Sequence, residues 1–331
     1  MSDISSTTRQ GTVGAPIYLE GIGAHSGRYA HLVIKPAAVD TGIVFVRTDF
    51  PQQCGCIAAH RRHLSSTTLC TALTNASGAC VQTVEHLLAA LFLYAIDNAI
   101  IEIDSEEIPV LDGSAQPYVE ALQAVGRRTQ QASRRCIRVL LPIRVQQGNR
   151  VAALLPSSSG LSLEVCCDYQ ARNVAHQHYE ATMTTETFTK EIASARTFGF
   201  LEDAEKLHAQ GLAQGSSLEN AVVFSDGKPL NLEGLRFSDE VVRHKMLDVL
   251  GDLALLGHPL NAHFEGKNTG HTLNAQLTAA VLEHPDCWTL TEVPLPKIAA
   301  RRSVSRLKQQ QLAPALSPLQ GSPVAALSSC K

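Results

Sequence analysis

Apolar residues that alternate, or recur every three to four positions, divide the chain into predicted strands and helices. Short β-like runs lie at residues 31–35 and 42–47, separated by a turn region of Pro, Asp, Thr and Gly. From about Thr83 to Tyr94 the apolar residues recur at helical spacing, which predicts a helix. Residues 99–103 predict a further strand, and residues 117–125 predict a second helix.

The polar and basic segment 127–135 predicts a linker, and a similar pattern starts again after it. Strands are then predicted at 137–139, 161–165 and 221–224, and helices at 187–195, at 239–256 and from about 271 onward. Because strands and helices occur in a similar order on both sides of 127–135, the pattern favours two related α+β halves.

The composition changes near residue 297, which sets the last predicted boundary. Residues 299–311 are basic and polar, and the remainder is rich in Ser, Pro, Ala and Leu, so we expect a mostly disordered tail over 297–331. The predicted domains are therefore 1–130 and 131–296.

The overall composition excludes several classes of protein. The 331 residues are 44% apolar and 18% charged, which is an ordinary globular profile. The net charge of -3 does not indicate a surface that binds nucleic acid. Nine cysteines without regular spacing, and an N-terminus without an apolar signal region, predict a reducing, cytoplasmic setting. The longest apolar run, Leu87–Ile96, is about half of a membrane span, so only contact with a membrane surface stays open.

The predicted helix over 239–256 carries three chemically active residues at intervals of four. His244, Asp248 and Asp252 fall within roughly 80° of arc at about 100° per residue, so His244 and Asp248 can direct two ligand atoms at one metal ion. Val242 and Met246 lie on the other side, the predicted core face. Taken alone, this stripe is better explained as a solvated His–Asp pair.

A second motif favours the metal site. Glu85 and His86 begin an otherwise strongly apolar helix, where their burial would be costly unless they were paired or bound to metal. Three protein ligands with one open position are typical of catalytic zinc, and a glutamate beside a ligand is well placed to deprotonate water. The H-E-x-x-H protease motif is absent. His271 is either an ordinary first residue of a helix or a general acid and oxyanion partner.

Eight short blocks of the sequence resemble one known family. They run in the family's order between about residues 10 and 292, at 21–27, 69–71, 83–87, 108–115, 195–200, 231–237, 242–253 and 270–274. On these blocks the chain resembles the UDP-3-O-acyl-N-acetylglucosamine deacetylases, which catalyse the committed step of lipid A biosynthesis in Gram-negative bacteria.

The resemblance implies an α+β fold of two similar domains, with the helices sandwiched between two sheets and the active site between the domains. It implies one zinc ion per chain, for which iron(II) could substitute. It also implies that residues around the ion act as general base, as general acid and as stabilisers of the oxyanion. The implied metal ligands are His86, His244 and Asp248. The implied catalytic residues are Glu85 as base, His271 as acid, Asp252 as its partner, Thr197 as hydrogen-bond donor and Lys245 as added positive charge.

The resemblance also implies a substrate with a UDP head group and a fatty acyl chain. The implied substrate-binding residues are His25, Cys70, Arg150 and Phe198. Arg150 stands where the family tends to have lysine, and its guanidinium can still contact phosphate. We expect a passage for the acyl chain around 201–218, no nucleic-acid partner, peripheral contact with the inner membrane, and a cytoplasmic monomer.

Two alternatives stay open at this point. One is an amidohydrolase of the same fold that acts on another N-acyl sugar. The other is a non-catalytic relative that binds zinc or a nucleotide-sugar lipid. Binding alone needs neither Glu85 nor His271, and the chain has both, which argues against the second alternative.

Overall fold

The computed structural model describes residues 7–51 and 54–293, so the predicted tail over 297–331 lies outside the described residues. These described residues fall into one compact unit. In the first half the strands are β1 (Arg9–Val13), β2 (Ile17–Ile22), β3 (Tyr29–Pro36), β4 (Ile43–Arg47), β5 (Cys56–Ala58), β6 (Leu64–Ser66), β7 (Ala72–Thr74), β8 (Cys80–Val81), β9 (Ala99–Ile103) and β10 (Arg127–Ser133).

The second half continues with strands of similar length. They are β11 (Arg135–Val139), β12 (Ile143–Gln147), β13 (Arg150–Leu155), β14 (Leu161–Tyr169), β15 (Val174–Thr182), β16 (Phe198–Phe200), β17 (Val222–Ser225), β18 (Lys228–Pro229), β19 (Leu260–Lys267) and β20 (Trp288–Glu292). The α-helices along the described chain are α1 (Glu85–Leu93), α2 (Gln116–Val125), α3 (Thr185–Thr187), α4 (Leu201–Ala209), α5 (Glu240–Ala254) and α6 (His271–Glu283).

Each half builds its own main sheet. The first has the order β2-β3-β9-β4-β5, and the second has the order β12-β13-β19-β11-β20, with β14 paired to β19 and β15 to β14. β19 is central: β13 lies antiparallel on one side, while β14 and the start of β11 lie parallel on the other. The predicted α+β fold with sheets and helices in both halves is therefore confirmed.

Alternating side chains direct one face of each sheet into a shared core. In β3, Leu32 and Ile34 point inward, and in β9, Ile101 does the same. These residues belong to one apolar cluster that also contains Leu87 of α1 and Val249 of α5. The core thus extends through the helices from one half to the other, with α1 packed against α5.

One local prediction was wrong, and another differs in its bounds. The predicted linker 127–135 is largely strand β10, which pairs antiparallel with β1. The predicted helix 187–195 lies earlier, as the short α3 followed by a π-helical turn over Phe188–Ile192. The predicted division into domains at residue 130 stays a prediction.

None of the helices in the described ranges combines the length and the hydropathy that a bilayer crossing demands.

Candidate active site

Helices α1 and α5 contact each other at the first residue of α1. Gly251 of α5 makes this close contact possible, because it has no side chain. A Cβ atom on this residue of α5 would lie only 2.1 Å from the carbonyl oxygen of Glu85. Backbone can therefore approach backbone, and the first turn of α1 lies against the middle of α5. Glu85 and His86 are thereby brought to the face of α5 that carries His244 and Asp248.

The predicted metal ligands His86, His244 and Asp248 lie together. One ligand atom from each falls within 4.8 Å of the others, and all three side chains are buried. Asp248 Oδ1 is 3.3 Å from His244 Nε2 and 3.8 Å from His86 Nε2. Two imidazole nitrogens and one carboxylate oxygen are the donor set of a three-ligand catalytic zinc site, so the residues present fit such an ion.

Neighbouring groups orient these donor atoms. His244 Nδ1 lies 3.0 Å from the carbonyl oxygen of Ala195, which leaves Nε2 to face Asp248. Burial lowers the pKa of His244 to about 3, so the imidazole is neutral and can donate a lone pair. Lys245 donates from Nζ to Asp248 Oδ2 at 2.9 Å. Although burial opposes ionisation of Asp248, the charge of Lys245 holds the pKa of its carboxyl well below the usual value.

Glu85 and His271 face each other beside this cluster. His271 Nε2 is 3.7 Å from Glu85 Oε1, and its Nδ1 is 3.0 Å from Asp252 Oδ2. Burial raises the pKa of Glu85 despite the opposing effects of His271 and His86. For His271, burial favours the neutral ring, but the carboxylates of Asp252, Asp248 and Glu85 outweigh it and raise the pKa to about 10. Glu85, a carboxyl with a raised pKa that can accept a proton, and His271, a cation that can donate one, therefore lie side by side.

Two further residues tie these groups together, and the sequence reasoning missed both. Thr71 donates from its backbone N–H to Glu85 Oε2 at 3.1 Å and from its hydroxyl to Asp252 Oδ1 at 2.5 Å. Asn274 donates from Nδ2 to Asp252 Oδ2 at 2.8 Å. Asn274 could have been found, because it lies three residues after His271 on one helix face. Thr71 and Asn274 both lie in the family-like blocks 69–71 and 270–274, but only the structure shows the role of Thr71, since its partners are remote in sequence.

Arg196, the residue before Thr197, holds Thr197 at the edge of the site. Arg196 is buried, and its Nε donates to Glu240 Oε1 at 2.9 Å at the start of α5. The backbone N–H of Thr197 donates to the carbonyl oxygen of Gly113 at 2.8 Å. The carbonyl oxygen of Ala195, in the same segment, accepts a hydrogen bond from His244. The segment is therefore tied to α5.

Comparison with known proteins identifies the family. The family model described as UDP-3-O-acyl N-acetylglycosamine deacetylase (LpxC) matches residues 10–283. The chain belongs to this family. A UDP-3-O-acyl-N-acetylglucosamine deacetylase from Phenylobacterium zucineum is 46% identical over 280 residues, which is 84% of this chain and 95% of the relative. One of the same name from Shewanella loihica is 44% identical over 283 residues, 85% of this chain and 92% of the relative.

The residues that the deacetylase resemblance assigns to substrate lie around this pocket. The backbone N–H of His25 donates to Glu107 Oε1 at 2.9 Å, and burial lowers the pKa of its ring. Phe198 lies edge-on to His244, with ring centroids 6.2 Å apart. Arg150 donates from Nε to the carbonyl oxygen of Asn268 at 2.9 Å, close to the start of α6. Its position beside the helix that His271 begins places a fixed cation near the site.

Cys70 lies deeper than the other residues in this set. The side chain is buried, and burial followed by the charge of Glu85 raises the pKa of the thiol to about 12. The thiol is therefore protonated at neutral pH and behaves as a small apolar group beside Glu85.

Proposed function

We propose that this protein hydrolyses the N-acetyl group of UDP-3-O-acyl-N-acetylglucosamine, releasing acetate and the free 2-amine, in the committed step of lipid A biosynthesis. The observation that carries the proposal is the buried group of His86, His244 and Asp248 beside Glu85 and His271, in a chain of the deacetylase family. Amide hydrolysis needs an activated water, a polarised carbonyl and a proton for the departing amine, and this group can supply each.

His86, His244 and Asp248 would hold one zinc ion per chain, with iron(II) as a substitute. Such an ion, when bound, supplies a Lewis acid that lowers the pKa of water and polarises the acetyl carbonyl. The neutral imidazole of His244 and the ionised carboxylate of Asp248 are the protonation states that ligation requires.

Glu85 acts as the general base. Its carboxylate takes a proton from the attacking water, and the backbone N–H of Thr71 fixes one of its oxygens while the other faces His271. Burial of the carboxyl raises its pKa, which brings its basicity closer to the neutral pH at which it must accept a proton.

His271 acts as the cation of the site. In its protonated form it stabilises the negative charge that develops on the acetyl oxygen and then gives its proton to the leaving 2-amine. Asp252 is a positioning residue, because it holds Nδ1 of the ring and keeps the imidazole charged. Thr197 donates a hydrogen bond to the same oxygen, and Lys245 adds positive charge from the side of Asp248.

The remaining contacts define the substrate. Arg150 would meet the diphosphate, which suits a guanidinium that can bind phosphate oxygens bidentately. His25, Cys70 and Phe198 would contact the head group and sugar, and the acyl chain would follow the segment around 201–218. We further place the enzyme in the cytoplasm of a Gram-negative bacterium, as a monomer with peripheral contact to the inner membrane.

The decisive experiment measures bound metal and deacetylation of UDP-3-O-acyl-N-acetylglucosamine by the wild type and by Glu85→Ala. Glu85 is not a ligand, so the variant should keep its metal while turnover falls roughly 10²–10⁴-fold, the usual contribution of a general base. Glu120→Ala, on the exposed face of α2, is the matched control and should turn over normally. Undiminished turnover in Glu85→Ala would refute the role of Glu85. A metal-loaded wild type that leaves this substrate intact would favour another N-acyl sugar or a binding protein.

A further inference from the structure

The outward face of the second sheet carries another group of histidine and carboxylate side chains. Along β14, Val165 points inward and is buried, whereas Glu164 points outward. β19 alternates in the same way, with Phe264 buried and both His263 and Glu265 directed outward. Since α5 packs against β14 from the inner side, this group and the active site lie on opposite faces of the sheet.

Strand register brings the group together. In the parallel pair of β14 and β19, Glu164 lies opposite Glu265, and Ser162 lies opposite His263. β15, on the other side of β14, adds His178 from a position diagonal to Glu164. Glu180 of β15 lies directly opposite Glu164. Two imidazoles and three carboxylates from three adjacent strands therefore share one small patch of surface.

Three of these side chains have donor atoms close enough to surround one cation, and His178 contacts one of the three. Ligand atoms of Glu164, His263 and Glu265 lie within 4.8 Å of one another. His263 Nε2 is 3.9 Å from one oxygen of each glutamate, and His178 Nε2 is 2.9 Å from Glu164 Oε1. Metal–ligand bonds of about 2.0–2.1 Å in a tetrahedral site separate the donors by roughly 3.3 Å, so small side-chain rotations would complete the geometry.

His263 is also oriented for ligation. Its Nδ1 lies 2.8 Å from the hydroxyl of Ser162, which occupies that ring nitrogen and leaves Nε2 directed at the two glutamates. A partner on the second ring nitrogen is the usual arrangement for a histidine that binds metal, because it fixes the tautomer and the ring plane.

We propose that Glu164, His263 and Glu265 form a peripheral site for a divalent cation of the zinc, nickel or copper class, with His178 bonded to Glu164 beside it. Imidazole nitrogens favour these ions over magnesium or calcium, which prefer oxygen ligands alone. The bound cation would join β14 to β19, and His178 of the outer strand β15 would be linked to it through Glu164. It would thereby stabilise the edge of the sheet independently of the deacetylase reaction.

The test uses full-length protein loaded with one equivalent of zinc and then dialysed against increasing free Zn²⁺, with the bound metal counted. We expect a second zinc ion per chain in the wild type. Its affinity should fall at least tenfold in His263→Ala and in Glu164→Gln, while the first equivalent is retained. His176→Ala removes an exposed histidine of β15 outside the group and should leave both equivalents in place.

Two outcomes would overturn the proposal: a wild type that binds only one zinc ion, or a second ion bound as tightly in His263→Ala as in the wild type. Loss of the second ion in Cys56→Ser would assign it to that exposed thiol instead, and would equally refute the site. Zinc beyond one equivalent should also raise the melting temperature of the wild type but not of His263→Gln, whose similar side-chain volume guards against misfolding.

Discussion

Asp252 receives more hydrogen bonds than its neighbours in the active site, and they set the charge of His271. Its Oδ2 is bonded to His271 Nδ1 and Asn274 Nδ2, and its Oδ1 accepts from Thr71. Of the carboxylates that raise the pKa of His271, that of Asp252 acts most strongly. The carboxylate of Asp252 is consequently the largest of the three contributions that keep this buried histidine a cation at neutral pH.

Replacing Asp252 by Asn should therefore move the alkaline limit of activity to lower pH. In the proposed mechanism His271 works as a cation, so activity is lost as pH rises through its pKa, which is about 10 in the native protein. Without the carboxylate that pKa falls, and we expect a shift of roughly one to two pH units, the equivalent of one charge-assisted hydrogen bond. The measurement is the pH profile of kcat/KM.

The acidic limb of the same profile provides the control. In the proposed mechanism it reports Glu85, which must lose its proton to act as base. Activity should then rise with pH through a pKa that burial places above the ordinary value. A purely structural role for Asp252 would lower kcat/KM evenly at every pH and leave the alkaline limb where it was.

At the level of residues, the sequence could predict contacts within a helix but not contacts between segments. The spacing of His244, Asp248 and Asp252 placed them on one side of α5, as the structure has them. Thr71 was missed because its partner Asp252 lies far along the chain. Glu107, which is buried and accepts from the backbone of His25, was missed for the same reason.

The contact between α1 and α5 is the structural element on which the site depends. The backbone of α1 occupies the space that a side chain at position 251 would need. A Cβ added to Gly251 would lie 2.1 Å from the carbonyl oxygen of Glu85. Neither partner is a flexible side chain that could move aside, so any substituent must separate the helices. Separation would carry Glu85 and His86 away from His244 and Asp248.

Gly251→Ala should consequently reduce both stability and metal affinity. We expect the free energy of unfolding in urea to fall by about 1–3 kcal/mol, the cost of overpacking a dense core. Zinc affinity should fall with it, measured by competition with a chelator. Gly199→Ala is the comparison, since nothing lies within 4 Å of a Cβ added there. If Gly251→Ala and Gly199→Ala were equally stable, the close approach of α1 and α5 at Gly251 would not contribute to stability.

Elements with strong apolar periodicity were predictable, and polar ones were not. The predicted strand at 99–103 and the predicted helix at 83–94 correspond to β9 and α1. β10 was taken for a linker because its exposed side chains are polar and basic, although β1 supplies its hydrogen bonds. For α5 the periodicity indicated one core face, yet the helix is buried on nearly every side, because α1 and the second sheet cover it.

Across the whole molecule, the donor atoms of the proposed metal site come from both halves of the chain. His86 belongs to α1 in the first half, and His244 and Asp248 belong to α5 in the second. An ion bound by all three would therefore stabilise the native arrangement of the halves and not only the local helix ends.

Chelation of the first equivalent of metal should lower the melting temperature of the protein by several degrees. A ligand present at 100 times its Kd stabilises the folded state by about 2.7 kcal/mol, which is the expected difference between zinc-loaded and chelated protein. Calorimetry of both forms measures it. His86→Ala lacks one donor, so zinc should have little effect on its melting temperature. Identical melting curves for the loaded and the chelated wild type would contradict a site that spans both halves.

The burial of α1 also has a consequence for synthesis on the ribosome. Leu87 and Leu91 are covered in the finished protein, in part by α5, whose residues are translated much later. At about 5–20 residues per second, the roughly 150 residues between Leu93 and Glu240 take on the order of ten seconds to add. Throughout that interval the nascent first half must carry an apolar helix that α5 does not yet cover, which makes it a substrate for chaperones that bind emerging chains.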